Sequence, residues 1–300
     1  MSTAIHDIGY RHYEGPRLGR AHVARSLYQY GLRSVFGLGR GAWAKVVPFA
    51  MLAIMILPAA GDIAVLSFVR TPETLFDYSM YPTYLQPVIA IFLAAQAPVL
   101  ASRDQRFRTV PLYFSRPVGV VDFVLAKFAA FVTALLLLMT VPVTLLHLGF
   151  LAMRQSMIDH GSANVPSVAG QTGAYLTALA GCLLYALVLS SFALLIAAFM
   201  PRRGFGIAAV MAVYLISNVV VLIAQGAAIS TGRYGLAGWF NLFTPFRLVD
   251  GVQARLFGEE IAFRETVPPA GSGPVFLLVC VLVVAVSLVL LVKRFRKAGA

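Results

Sequence analysis

Long apolar blocks separated by short polar stretches set the pattern of this chain. A helix needs about 20 mostly apolar residues to cross the hydrocarbon core of a bilayer. Six blocks reach or approach that length: 46–68, 84–101, 123–150, 174–200, 204–229 and 274–292. They predict an all-α polytopic integral membrane protein, with a six-helix transmembrane domain over 42–292. The second block is short and carries Gln86, Pro87, Gln96 and Pro98. The third is long enough to tilt, or to begin as an interfacial helix.

Three pieces outside these blocks carry patterns of their own. In the N-terminal segment, 1–41, Ala24, Leu27, Tyr28, Gly31, Leu32, Val35 and Phe36 follow helical spacing, and Arg25, Gln29 and Arg33 occupy another face. This predicts an amphipathic elbow helix at the cytoplasmic interface. It serves either as a solvated anchor or as a seat for a partner. Gly37, Gly39 and Gly41 then let the chain turn into the first span. The connection 102–122 alternates basic residues with Phe107, Leu112, Tyr113 and Phe114, punctuated by Pro111 and Pro117. Exposed aromatics beside charge suit docking on a soluble protein; the same residues also suit anionic headgroups. Asp122 is placed to cap the third span. The connection 230–273 holds an interrupted apolar element, about 237–257, with Trp239, Phe240, Phe243 and Phe246. It reads as short helices buried against the bundle or as an aromatic interfacial belt.

Charge gives the spans a direction. With the N-terminus in the cytoplasm, 18 of the 24 Lys and Arg fall on the inner side, including Lys293, Arg294, Arg296 and Lys297 of the tail 293–300. Such an excess marks the cytoplasmic face and places both termini inside. Eight of the twelve acids fall on the outer side or its edge. The net charge of +12 is therefore read as topology and attraction to anionic lipid, not as nucleic-acid binding. The polar first forty residues are too long and irregular for a signal-peptide head and are expected to be retained. Cys182 and Cys280 both lie in apolar blocks and form no CxxC pair.

Catalytic patterns are missing. The chain has no phosphate loop of the G-x-x-x-x-G-K-[ST] type, no H-E-x-x-H and no G-x-S-x-G, and its five histidines are scattered. Asp62 and His147 are the notable ionisable residues in or near the spans; such groups are functional candidates, but both lie toward outer ends and are expected to sit solvated there. Lys127, at the inner end of the third span, is expected to snorkel. Gln86, Gln96, Asn218 and Gln225, with Ser190, Ser191 and Ser217, are polar positions inside spans. They suit helix packing, with a lining of a transport path as the alternative. Ala174, Ala178, Gly181, Ala186 and Ser190 supply small residues for close helix approach.

One stretch carries a resemblance. Arg103, Asp104 and Arg106 precede Leu112-Tyr113-Phe114-Ser115-Arg116-Pro117, and Asp122 and Lys127 follow as the next helix begins. This resembles the acidic–basic stretch, L-x-x-S-R-P box and following acid and lysine of ABC-2 type ABC transporter permeases. Arg108-Thr109 stands where that family often has Gly-Thr, which leaves the fine geometry of the loop open. The segment from His6 to Gly15 also looks like that of some actinobacterial permeases.

The resemblance implies a type V exporter-like transmembrane domain in a bacterial cytoplasmic membrane. It implies a dimer of permeases, identical or homologous, bound to two copies of an ATPase subunit. ATP and Mg would sit in that partner, with no cofactor in this chain. Residues Arg103–Pro117 would form the coupling element. Function is then export of an amphipathic or hydrophobic cargo such as a drug, an antimicrobial peptide or a lipid-like molecule, and this chain is not itself an enzyme. The rivals are a carrier or channel working without ATPase, and an intramembrane enzyme.

Overall fold

The computed structural model describes residues 15, 19–70, 76–107, 109–114, 118–162, 164–200, 202–258 and 266–299. Every regular element among them is helical. Five helices are long and apolar enough to cross a membrane: α2 (Ala42–Val69), α7 (Val120–Asp159), α8 (Val168–Phe199), α9 (Arg203–Ser230) and α12 (Gly273–Gly299). The chain thus has the architecture of a polytopic α-helical membrane protein.

The apolar block 84–101 takes a different form. A single turn, α3 (Tyr81–Tyr84), breaks at Leu85, and α4 (Gln86–Leu100) follows. Its 15 residues rise about 22 Å, short of the roughly 30 Å hydrocarbon core. It is nonetheless largely enclosed, packed against α8, α9 and α2. Pro87 at its first turn and Pro98 near its end explain both its start and its shortness.

α4, α7 and α8 form the centre of the bundle, with α2, α9 and α12 around them. α2 and α7 run in the same direction, with the short α4 returning between them, and α7, α8 and α9 then alternate. Arg70, at the end of α2, bonds to His160 just past the end of α7, and Gly206 near the start of α9 faces Pro98 near the end of α4. Leu215, Ile216, Val219, Leu222 and Ile223 of α9 are exposed. So wide an apolar face is stable only against lipid or another protein.

α1 (Arg20–Val35) lies across this bundle. Its apolar face packs on α7 and α4, while Arg25, Gln29 and Arg33 are exposed, as the spacing predicts. Close approach is possible because residue 31 is glycine: a Cβ there would stand 2.9 Å from the Cβ of Ala130. Tyr28 donates to Thr133 Oγ1 at 3.1 Å.

Residues 231–258 fold back onto the opposite end. α10 (Tyr234–Trp239), a 3₁₀ turn (Phe240–Phe243), α11 (Pro245–Val252) and a π turn (Gln253–Phe257) follow one another. Ala237, Asn241, Phe246 and nearly all of α11 are buried, which matches the reading of short helices held against the bundle. Glycines make the fit. A Cβ on Gly251 would stand 2.3 Å from the ring of Phe276 on α12, and one on Gly181 would stand 2.0 Å from Nε2 of Gln253. Gly251→Ala is expected to destabilise the protein by about 1–3 kcal/mol, as overpacking does, because the Phe276 ring is fully buried. Thermal unfolding in detergent micelles measures it.

Candidate functional site

The connection between α4 and α7 contains two short helices, α5 (Ser102–Arg106) and α6 (Val110–Phe114). Three helices hold it. Lys127 of α7 pairs with Asp104, donates to the carbonyl oxygen of Leu100, and lies 4.3 Å from the ring centre of Phe123. Ser102 donates to the carbonyl of Ala197 at the end of α8 at 2.6 Å. Arg294 of α12 donates to the carbonyl of Ala198 at 3.2 Å and to Gln105 Oε1 at 3.3 Å. Lys127 therefore does not snorkel as expected. Its partner Asp104 comes from the preceding connection, so the ammonium turns inward and locks α5 onto α7.

α6 is anchored by apolar contact. Val110 is buried, and Tyr113 and Phe114 are half-buried, their ring centres 5.1 and 5.7 Å from that of Phe123. Phe123 also meets Phe295 of α12 edge-on. Burial pushes the Tyr113 hydroxyl above its usual pKa. Among the described residues of this connection, Arg103, Arg106, Phe107, Pro111 and Gly119 are exposed, with the Arg106 guanidinium 5.6 Å from the Phe107 ring centre. Ser115, Arg116 and Pro117, with the side chain of Leu112, lie outside the described residues.

Asp122 departs from its expected role as an N-cap. Gly119 is the N-cap of α7, and Asp122 sits in the first turn. Its carboxylate bonds back to the Gly119 backbone and pairs with Arg20 of α1, one contact being 2.8 Å. This is the reciprocal half of a capping box. The carboxylate still meets the positive end of the helix.

The polar positions inside the apolar blocks do not form one group. Gln86 donates to the carbonyl of Phe246 at 3.0 Å. Gln225 donates to Ala237 O at 3.1 Å and Asn241 Oδ1 at 2.8 Å, and accepts from Arg247 at 2.8 Å. Both residues therefore tie the α10–α11 segment to the bundle. Asn218 donates to Tyr214 O of its own helix, and Gln96 is buried in α4.

At that same end lies a buried carboxylate that sequence reasoning passed over. Asp250 of α11 accepts from Tyr185 of α8 and, at 2.9 Å, from Thr83 of α3. Burial pushes its carboxyl up to about 6, against those two hydrogen bonds and nearby Arg247, which pull it down. Gln253, one turn on, is fully buried, and neither of its side-chain polar atoms has a hydrogen-bond partner among the described residues. Asp62 and His147 are also buried, contrary to the solvated positions expected of them. Tyr78 and Tyr81 cover that region, and His147 stacks on Tyr175 with ring centres 4.4 Å apart. Burial, then Asp62, pushes the Tyr78 hydroxyl up to about 12. Among the described residues no three His, Cys, Asp or Glu side chains converge as metal ligands do.

Compared with known proteins, the chain matches no family model, and no curated protein matches it.

Proposed function

We propose that this chain is the membrane-spanning permease subunit of an ATP-driven exporter of the ABC-2 type. In this reading α3 and α4 together make a sixth crossing, both termini face the cytoplasm, and the connection holding α5 and α6 is the coupling element. The observation that supports it best is how that connection is mounted. It is fixed to α7, α8 and α12 by Lys127–Asp104, Ser102–Ala197 and Arg294–Gln105, yet it presents Arg103, Arg106 and Phe107 outward. A rigid element with a free charged and aromatic tip can pass displacement from a docked protein into three helices at once. Coupling of this kind requires different contacts in two states of the partner, and an outward tip supplies the surface for them. The cargo would be amphipathic or hydrophobic, since the long helices carry few fixed charges.

Purifying the tagged chain from its native membrane tests the reading. An ATPase subunit is expected in stoichiometric amount, with a second permease chain. A homo-oligomer that transports without any ATPase would sink it.

One observation favours a second reading, an ion-coupled carrier. Asp250, buried and bonded to Tyr185 and Thr83, is a protonatable group at a helix junction. Uptake driven by a proton gradient in vesicles free of ATP would support the carrier.

A further inference from the structure

Two cavities adjoin at the α5–α6 end. The first, of about 230 Å³, takes Arg40, Arg103, Arg106 and Arg203 into its lining. The second, of about 440 Å³, takes Arg33, Arg40 and Arg103. Arg40 and Arg103 belong to both, so the two form one cleft with two lobes. Five guanidiniums reach it from four separate pieces of chain: α1, the turn before α2, α5 and the start of α9.

Among the described residues none of the five guanidiniums has an ion-pair partner. No carboxylate among the described residues lines either lobe; a third, smaller cavity that shares Tyr30, Ser34 and Arg103 with the second is lined by Asp104 and Lys127. Asp104, adjacent to Arg103 in sequence, is taken by Lys127, and the only other ion pair among the described residues is Arg20–Asp122. Like charges gathered in a cleft focus a positive potential, which a bound anion relieves. Guanidinium forks match phosphate oxygens in pairs, and several forks around one space favour more than one phosphate.

The position of the cleft narrows the source of that anion. Arg40 stands just before Ala42, the first residue of α2; Arg103 stands just after Leu100, the last of α4; Arg203 opens α9. Pro98, Val99 and Leu38 give the lobes apolar walls beside the arginines. If the apolar helices cross a bilayer as proposed above, on which reading this step rests, the arginines lie at headgroup depth on the cytoplasmic side. Basic pockets between helices at that depth suit anionic headgroups.

We propose that this cleft binds a phosphate-bearing anion, and that its occupant is the headgroup of an anionic lipid carrying two phosphates. The headgroup bridges the α1–α2 turn and α9 to α5, and so engages one side of the coupling element itself. Lipid composition would then set how firmly α5 is held.

The test uses the full chain, purified and placed in phosphatidylcholine nanodiscs, with binding read by native mass spectrometry and by thermal unfolding. Cardiolipin, phosphatidylglycerol, added phosphatidylcholine and inorganic pyrophosphate are the probes. Cardiolipin is expected to bind and to raise the midpoint, phosphatidylglycerol to do so less, and phosphatidylcholine not at all. The double variant Arg40→Gln/Arg203→Gln is expected to weaken cardiolipin binding at least tenfold, whereas Arg233→Gln, at the other end of the bundle, leaves it unchanged. Both variants are first checked for the wild-type midpoint in phosphatidylcholine alone. If the double variant fails that check, raising salt on the wild type replaces it: binding through several guanidiniums must fall steeply.

Pyrophosphate binding as tightly as cardiolipin would overturn the lipid and give the cleft a soluble phosphate ligand. Cardiolipin binding that ignores both the double variant and salt would overturn the site. Binding of an acidic co-purified protein but of no phosphate probe would overturn it too, in favour of a protein surface. Failure here is separable from failure of the permease reading, because the latter shows as a missing ATPase on purification while lipid binding persists.

Discussion

Replacing Lys127 by Met is expected to destabilise the protein by about 3–5 kcal/mol, the range for a buried ion pair broken on one side. The side chains of Lys127 and Asp104 are 12% and 15% exposed, so the abandoned Asp104 carboxylate cannot simply turn to water. The carbonyl of Leu100 loses its donor as well. The cost is thus mainly an uncompensated charge and an orphan acceptor. Asp104→Leu together with Lys127→Met is expected to recover much of the loss, because removing both charges removes the desolvation penalty too. Thermal or SDS-driven unfolding of the wild type, both single variants and the double variant closes the cycle. Additive single effects would show that the two residues do not act as a pair.

The second large effect concerns Asp250 and pH. Its carboxyl titrates near 6 in the folded protein, above the usual 3.8. A raised value means that the folded state holds the proton more tightly than the unfolded one. The stability this contributes is fully present below about 3.8 and is lost as pH rises through about 6. Two units correspond to about 3 kcal/mol. Asn at 250 stays neutral and can still accept from Tyr185 and Thr83. Asp250→Asn is therefore expected to gain on the wild type by about 3 kcal/mol between pH 4 and pH 7. Unfolding midpoints of the two proteins measured across that range decide it. A pH-independent difference would mean that Asp250 does not change charge there.

Much of the fold was legible in the hydrophobic pattern. Five apolar blocks correspond to α2, α7, α8, α9 and α12, and the spacing of Leu27, Tyr28, Gly31 and Val35 chose the packed face of α1. Periodicity works at such places because each helix buries a stripe whose repeat is set by the helix itself. It failed where the deciding contact came from elsewhere. Lys127 points inward because Asp104 meets it, and that meeting depends on the shape of a connection with no repeat to read. Asp250 lay in an interrupted apolar stretch, where a carboxylate looks solvated until α11 folds back on Tyr185. The small residue at Gly181 points to helix approach in general, but the space it leaves is filled by Gln253 in particular.

The seat of α1 also has a consequence in time. Arg20 and Asp122 are 102 residues apart, and Tyr28 and Thr133 are 105 apart. At about 5–20 residues per second, α1 leaves the ribosome roughly 5–20 s before the helix it packs on exists. Over that interval its apolar face lacks α7, and at first α4 as well, while Arg25 and Arg33 lie on its other face; a basic amphipathic helix in that condition suits a membrane surface. The amphipathic pattern of α1 therefore fits two hosts in succession, a membrane surface before α7 is made and α7 itself afterwards.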